Sequence, residues 1–191
     1  VDMINGAWGG RASKDGIEGV TNPSQNMSNM PIETLESRYP IRVETYGLRE
    51  DSCGPGEHRG GLGLVRQYRL LADDAVLQLR ADRAKIPPYG LRGGGPAAPS
   101  RNILDPDGRA EEVPSKITRN VRKGDVIRHE QAGGGGYGDP LIRDPDLVAV
   151  DVADEKISRK FAEENFGVVI QPGEAQPDLA ATEVCRARLR S

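Results

Sequence analysis

The stretch that decides the fold is LGLVRQYRLLADDAVLQLRADR, Leu62 to Arg83. In its first half Leu62, Leu64, Tyr68 and Leu70 fall on one face at period two, with Arg66 interrupting the apolar series. In its second half Ala75, Leu77, Leu79 and Ala81 alternate with Val76, Gln78, Arg80 and Asp82. Successive side chains of a strand point to opposite faces, so one apolar and one polar face mean a half-buried, antiparallel sheet. Ala72-Asp73-Asp74 is short enough to reverse the chain. The spacing therefore predicts that Leu62–Leu71 and Ala75–Arg83 pair with each other, with the odd-numbered residues from Ala75 to Ala81 turned inward.

Upstream, residues 1–30 are polar and glycine-rich, with turn signals at Asp15-Gly16 and Asn22-Pro23, and read as an ordered loop region. A short helix follows, with Pro31 at its first position, Glu33 in its first turn and Pro40 as its stop. Ile41–Arg49 reads as a strand, and Asp51–Gly61 as a turn-rich connector. Downstream, Pro87–Ser100 is too rich in Pro and Gly for regular structure. Asn102–Val113 reads as a hairpin around Asp107-Gly108, and Val121–Gln131 as a short strand introduced by a Lys123-Gly124-Asp125 turn.

After AGGGGYGDP, Ala132 to Pro140, the period becomes helical. Asp144 caps a helix that has Pro145 in its first turn and Leu147, Val148 and Val152 on one face. Ser158 caps a second, with Phe161, Ala162 and Phe166 inward and Gly167 as its stop. Val168–Ile170 reads as one more strand. The pattern is α+β and β-rich: antiparallel strands, Gly-rich loops and two C-terminal helices. It divides into a module over residues 1–170 and a flexible tail over residues 171–191.

Composition narrows the function. At 191 residues the chain suits one domain. With 24 Gly and 14 Pro it must contain many turns and short elements, which excludes a long-helix bundle or coiled coil. A net charge of -3 offers no general field for nucleic acid, and 4% aromatic residues leave little for base stacking. No apolar run approaches a membrane span and no secretory signal is visible, so a cytoplasmic setting is the expectation. Cys53 and Cys185 are too few and too far apart for a disulfide scaffold or a zinc site. Val1 opens within ordinary sequence, as in a piece of a longer polypeptide.

Few residues offer chemistry. His58 lies near Cys53 and Glu57, but no second cluster joins them, so a solvated turn histidine outweighs a metal ligand. His129, in a strand beside Glu130, reads as structural. Cys53 has only His58 nearby as a base, so an inert thiol is the better reading. Asp15, Glu18, Glu33 and Glu36 are carboxylates that could flank a site, although Glu33 and Glu36, one helical turn apart, fit a solvated helix face better. GGLGLV precedes a strand, and AGGGGYGDP lacks Lys-Ser or Lys-Thr, so neither is a nucleotide loop. The backbone N–H groups of Gly133–Gly136 fit an anion nest or a tight loop with positive φ in equal measure.

These motifs together resemble the C-terminal portion of the hydantoinase B/5-oxoprolinase family. The resemblance rests on GAWGGRASKDGIEGVTNPSQNMSNMPIETLESRYPIRVETYGLREDS, GPGEHRGGLGLVRQYRL, LRADRAKIPPYGLRGGGPAAPS, the Pro114-Ser115-Lys116 turn and GDVIRHEQAGGGGYGDPLIRDP. It implies part of the B-type component of an ATP-dependent enzyme that opens a cyclic amide such as a hydantoin or 5-oxoproline. The implied partners are a hydantoinase A-type ATP-binding subunit, which activates the substrate carbonyl by phosphorylation, and the N-terminal part of the same subunit. ATP and a divalent metal are implied for the whole enzyme, bound outside this segment. The alternatives are an alpha-type subunit of a ketone carboxylase, related to the acetone and acetophenone enzymes, or a non-catalytic assembly module. No position here matches the family's metal-binding region, and Cys53 stands where Gly is common. The residues nominated for substrate or subunit contact are Asp15, Gly16, Arg59, Arg83, Gly133, Gly134, Gly135, Gly136 and Tyr137, with no catalytic residue assigned.

Overall fold

The computed structural model describes residues 3–22 and 24–191, so the Pro23 half of the Asn22-Pro23 turn lies outside the described residues. A five-stranded antiparallel sheet runs in the order β1 (Ile41–Leu48), β2 (Leu64–Leu70), β7 (Val126–Glu130), β4 (Arg101–Leu104) and β5 (Glu111–Glu112). A separate two-stranded ribbon pairs β3 (Asp74–Arg80) with β6 (Lys116–Arg122). The pairing of β2 with β3 expected from the sequence is therefore not formed. Both edges of β2 are taken, by β1 on one side and β7 on the other. Arg69 faces Val126 and, beyond a break in both chains, Asp74 faces Arg122. The ribbon thus prolongs the β2/β7 pair. One break, at residues 71–73, overlaps the Ala72-Asp73-Asp74 segment read as a reversal, whose Asp74 already belongs to β3. The other is the Lys123-Gly124-Asp125 turn, where Gly124 has φ +92°.

The phase of β3 is as the alternation requires. Ala75, Leu77 and Leu79 are half-buried, while Asp74, Val76, Gln78 and Arg80 face solvent. Arg66, which interrupted the apolar series of β2, is fully buried. Its guanidinium lies 3.9 Å from the centre of the Tyr46 ring and donates to the Met30 carbonyl at 3.1 Å. β6 was missed because KITRNVR is polar along nearly its whole length.

The helices sit where their caps place them. α1 spans Ile32–Arg38, with Pro31 at the N-cap instead of the first helical position. α2 spans Pro145–Ala153, with Asp144 Oδ1 accepting from Asp146 N at 2.9 Å. α3 spans Arg159–Phe166, capped by Ser158 and ended by Gly167 at φ +63°. Leu147, expected on the buried face of α2, is exposed, whereas Val148 is fully buried. Val168 and Ile170 are buried and Val169 half-buried, but the segment forms no strand: Val169 N donates to Thr182 Oγ1 at 3.1 Å. Residues 171–191, expected as a flexible tail, contain a further helix, α4 (Leu179–Arg190). Asp178 Oδ1 caps it through Ala181 N at 3.0 Å, and Thr182 and Cys185 are buried. The alanines and arginines that resembled a solvated tail are good helix formers.

The apolar core lies between the Asp51–Gly61 connector and these helices. It joins Cys53 and Leu62 to Val148, Ile157, Ala162, Phe166 and Val168.

Candidate functional site

Most of the nominated residues meet in one place. The Asp15-Gly16 loop, Arg59 and the Gly133–Tyr137 segment pack against one another through backbone hydrogen bonds. Gly16 N donates to the Arg59 carbonyl at 2.7 Å, and Tyr137 N and His58 N each donate to the other's carbonyl at 2.9 Å. Gly134 N donates to Gly61 O at 2.8 Å, and Gly54 N donates to Gly134 O at 2.8 Å.

None of Gly133, Gly134, Gly135 and Gly136 has a positive φ, contrary to the expectation from their run. Glycine is required for a different reason. A Cβ at these positions would fall inside the backbone carbonyl of Ser52, Trp8, Tyr89 and Pro55 respectively. The segment is hemmed in on several sides by other backbone, an approach only glycine permits. Most of its N–H groups also point to protein: Gly133 N donates to Ala98 O at 3.3 Å, Gly134 N to Gly61 O at 2.8 Å, Gly136 N to Gly95 O at 3.0 Å and Tyr137 N to His58 O at 2.9 Å, which breaks up the run of successive donors an anion nest requires.

Beside this glycine core lies a buried ion network. Arg143 holds Asp15 with two hydrogen bonds of 2.7 Å and reaches Asp151 on α2 at 2.8 Å. Arg59 completes the set, with Nε 2.9 Å from Asp151 Oδ1 and Nη1 2.6 Å from Glu18 Oε1. Arg59 and Arg143 are 4% and 2% exposed, so the pairing is what makes their burial tolerable. Arg59 therefore has its guanidinium committed inside the fold. Arg143 and Asp151 were not nominated. The one signal available was Asp151 at helical spacing from Val148, an acid on an apolar face.

Burial raises the Asp15 carboxyl, but the hydrogen bonds and charge of Arg143, together with Arg59, outweigh it and hold the group below its ordinary 3.8. A folded value below the unfolded one adds stability above pH 3.8. That contribution is lost as pH falls through the folded value. Asp15→Asn is expected to be less stable at pH 7 and to lose less stability than the wild type as pH drops below 3.8. Urea unfolding followed by circular dichroism across that range checks this, and an unchanged acid limb refutes it.

Arg83 stands apart from this network. It is exposed at φ +62°, and its carbonyl accepts from Ser100 N at 3.1 Å. It edges an apolar cleft of about 1030 Å³ between the ribbon, the sheet and α1, walled by Leu35, Leu70, Leu77, Leu79 and Ile127. His129 lines the same cleft, its Nδ1 2.7 Å from Asn102 Oδ1. Burial holds the His129 imidazole below its usual 6.5, against the raising effect of Glu130.

The remaining candidates do not converge. Glu33 is exposed, and Glu36 accepts from Val43 N at 2.7 Å. Cys53 is 1% exposed, and burial pushes its thiol up to about 12, so it holds no thiolate at neutral pH. His58 comes within 3.9 Å of Asp15, whose oxygens already serve Arg143 and Arg59 N. Among the described residues no three His, Cys, Asp or Glu side chains are placed to hold a metal ion.

The chain is similar in sequence and fold to known proteins. A family model described as Hydantoinase B/oxoprolinase matches residues 1–140. The B-type component of a putative D-/L-hydantoinase from Pseudomonas sp. (strain NS671) is 37% identical, over 91% of this chain and 30% of its own length. The delta subunit of acetophenone carboxylase from Aromatoleum aromaticum is 28% identical, over 94% of this chain and 31% of its own. The crystal structure of the ATP-dependent caprolactamase from Pseudomonas jessenii superposes with a TM-score of 0.84 at 27% identity, covering 96% of this chain and 33% of that one. The chain thus spans about a third of the length of these relatives.

Proposed function

Because this chain belongs to the hydantoinase B/oxoprolinase family, we propose that it is the C-terminal module of the B-type component of an ATP-dependent cyclic-amide hydrolase, one that opens a hydantoin, 5-oxoproline or related lactam ring. The observation that carries this reading is the superposition of nearly the whole chain on an ATP-dependent caprolactamase at a TM-score of 0.84.

In this reading ATP and the divalent metal are held outside this chain, by the rest of the subunit and by a hydantoinase A-type partner in a hetero-oligomer. The setting is the cytoplasm; no helix among the described residues is long and apolar enough to cross a membrane. The module's own work is structural. The carboxylate of Asp15, the guanidinium of Arg59 and the glycine segment are spent on internal bonds, so they shape and stiffen a wall and leave the reacting groups to other parts of the subunit. Arg83, exposed and outside the network, is the nominated residue free to touch a subunit or substrate.

The acetophenone carboxylase relative favours a second reading, a subunit of an ATP-dependent ketone carboxylase. The deciding experiment uses the full-length subunit with its co-encoded partner, ATP and a divalent metal. Ring opening of 5-oxoproline or a hydantoin, coupled to ATP hydrolysis, is the expected result. ATP use that requires both a ketone and bicarbonate selects the carboxylase, and neither activity sinks both.

A further inference from the structure

The ribbon of β3 and β6 pairs with no strand of the five-stranded sheet, and its apolar face is turned to a cleft instead of to a packed layer. Ala75, Leu77 and Leu79 are only half-buried there, although the alternation places them inward. A two-stranded ribbon needs such a face covered to be stable in water. Across the cleft stand Leu35, Leu70 and Ile127, and the space between is about 1030 Å³. Protein interiors leave few voids larger than a water molecule, so a space of this size between apolar walls calls for an apolar occupant. A lactam or hydantoin ring is too small for that role, since pockets of about 300–1,000 Å³ already enclose drug-sized molecules.

Two observations say what the occupant is. The chain spans about a third of the length of its relatives, so most of a full-length subunit lies outside it. Met3, Ile4 and Ala7 line the same cleft. Polypeptide that precedes Val1 is therefore tethered within a few residues of the cleft wall, at an effective concentration on the order of millimolar. We propose that this cleft is the seat of an apolar segment of the same subunit, contributed by the polypeptide that precedes Val1. This rests on the reading of the chain as the C-terminal module of a longer B-type component. The segment completes the layer that the ribbon lacks, and the ribbon and sheet close on it from two sides.

The test uses the full-length subunit. In Leu77→Cys the new thiol sits on the inner face of the ribbon, and the native Cys53 and Cys185 are both buried. Its alkylation by a maleimide is expected to be at least about a hundredfold slower in the native subunit than in urea. Faster labelling means an open cleft and overturns the proposal. A second variant carries the photo-cross-linker p-benzoylphenylalanine in place of Leu77, and the irradiated subunit is digested and mapped by mass spectrometry. A cross-link to a peptide that precedes Val1 in the same polypeptide is the expected result. A cross-link to the co-encoded partner instead assigns the cleft to that protein and overturns the proposal, as does the absence of any cross-link. Both readouts are independent of activity. Ring opening without the cross-link leaves the proposed function standing and removes the seat; the cross-link without ring opening does the reverse.

Discussion

Gly135→Ala is expected to destabilise the protein severely. The added methyl group would fall inside the Tyr89 carbonyl, with the Gly90 amide close behind it. Neither is the end of a flexible side chain that can swing away. Relief requires moving the 81–100 loop, whose own hydrogen bonds run to Gly136 and Pro55. Ordinary overpacking costs about 1–3 kcal/mol because side chains give way. Here backbone must give way on two segments, so a loss of at least about 3 kcal/mol is expected, a large part of a domain's stability. Gly47→Ala is the control. Nothing lies within 4 Å of the Cβ it would add, and a change within about 0.5 kcal/mol is expected. Urea unfolding of the two variants side by side measures the difference. Equal midpoints would show that the glycine segment is not a close-packed core.

Arg143→Met is expected to cost about 3–5 kcal/mol, the usual effect of removing one partner from a buried ion pair. The reason is what remains. Asp151, 5% exposed, loses one of its two guanidinium partners, and Asp15 loses both of its hydrogen bonds to Arg143. Asp15→Asn in the Arg143→Met background should recover part of the loss, because it removes one stranded charge. Lys160→Ala, which breaks an exposed pair with Glu164 at 3.8 Å, should change stability by no more than about 0.5 kcal/mol. Thermal unfolding of the three variants checks the order. A mild Arg143→Met would mean that the network contributes little to holding α2 against the Asp15 loop.

Local chemistry was legible in the sequence and strand partnership was not. Asp144, Ser158 and Gly167 mark helix ends through bonds made within a few residues, so the signal and the structure occupy the same short stretch. The half-buried face of β3 follows from alternation alone. Which strand pairs with β3 depends on β6, more than 35 residues away, and on both edges of β2 being taken. A short connection between two strands carries no record of that competition.

The candidate site divides the same way. The Gly133–Gly136 run announces that side chains are not tolerated, but φ > 0 and close backbone approach both produce it, and only the neighbours decide between them. Arg59 and Asp15 stand out as charged residues in glycine-rich turns. That their charges are spent on Arg143, Glu18 and Asp151 is a matter of contacts spanning up to 128 residues of sequence.

The central claim is that this chain is a structural module of a larger ATP-dependent enzyme, with the reacting groups held elsewhere. Its most direct test is an assay of purified residues 1–191 with ATP, magnesium or manganese, and 5-oxoproline or a hydantoin. The same assay is run in parallel on the full-length subunit with its partner. The account predicts ATP-dependent ring opening by the complex, and neither ATP hydrolysis nor ring opening by residues 1–191 alone. ATP-dependent turnover by the isolated chain would contradict it.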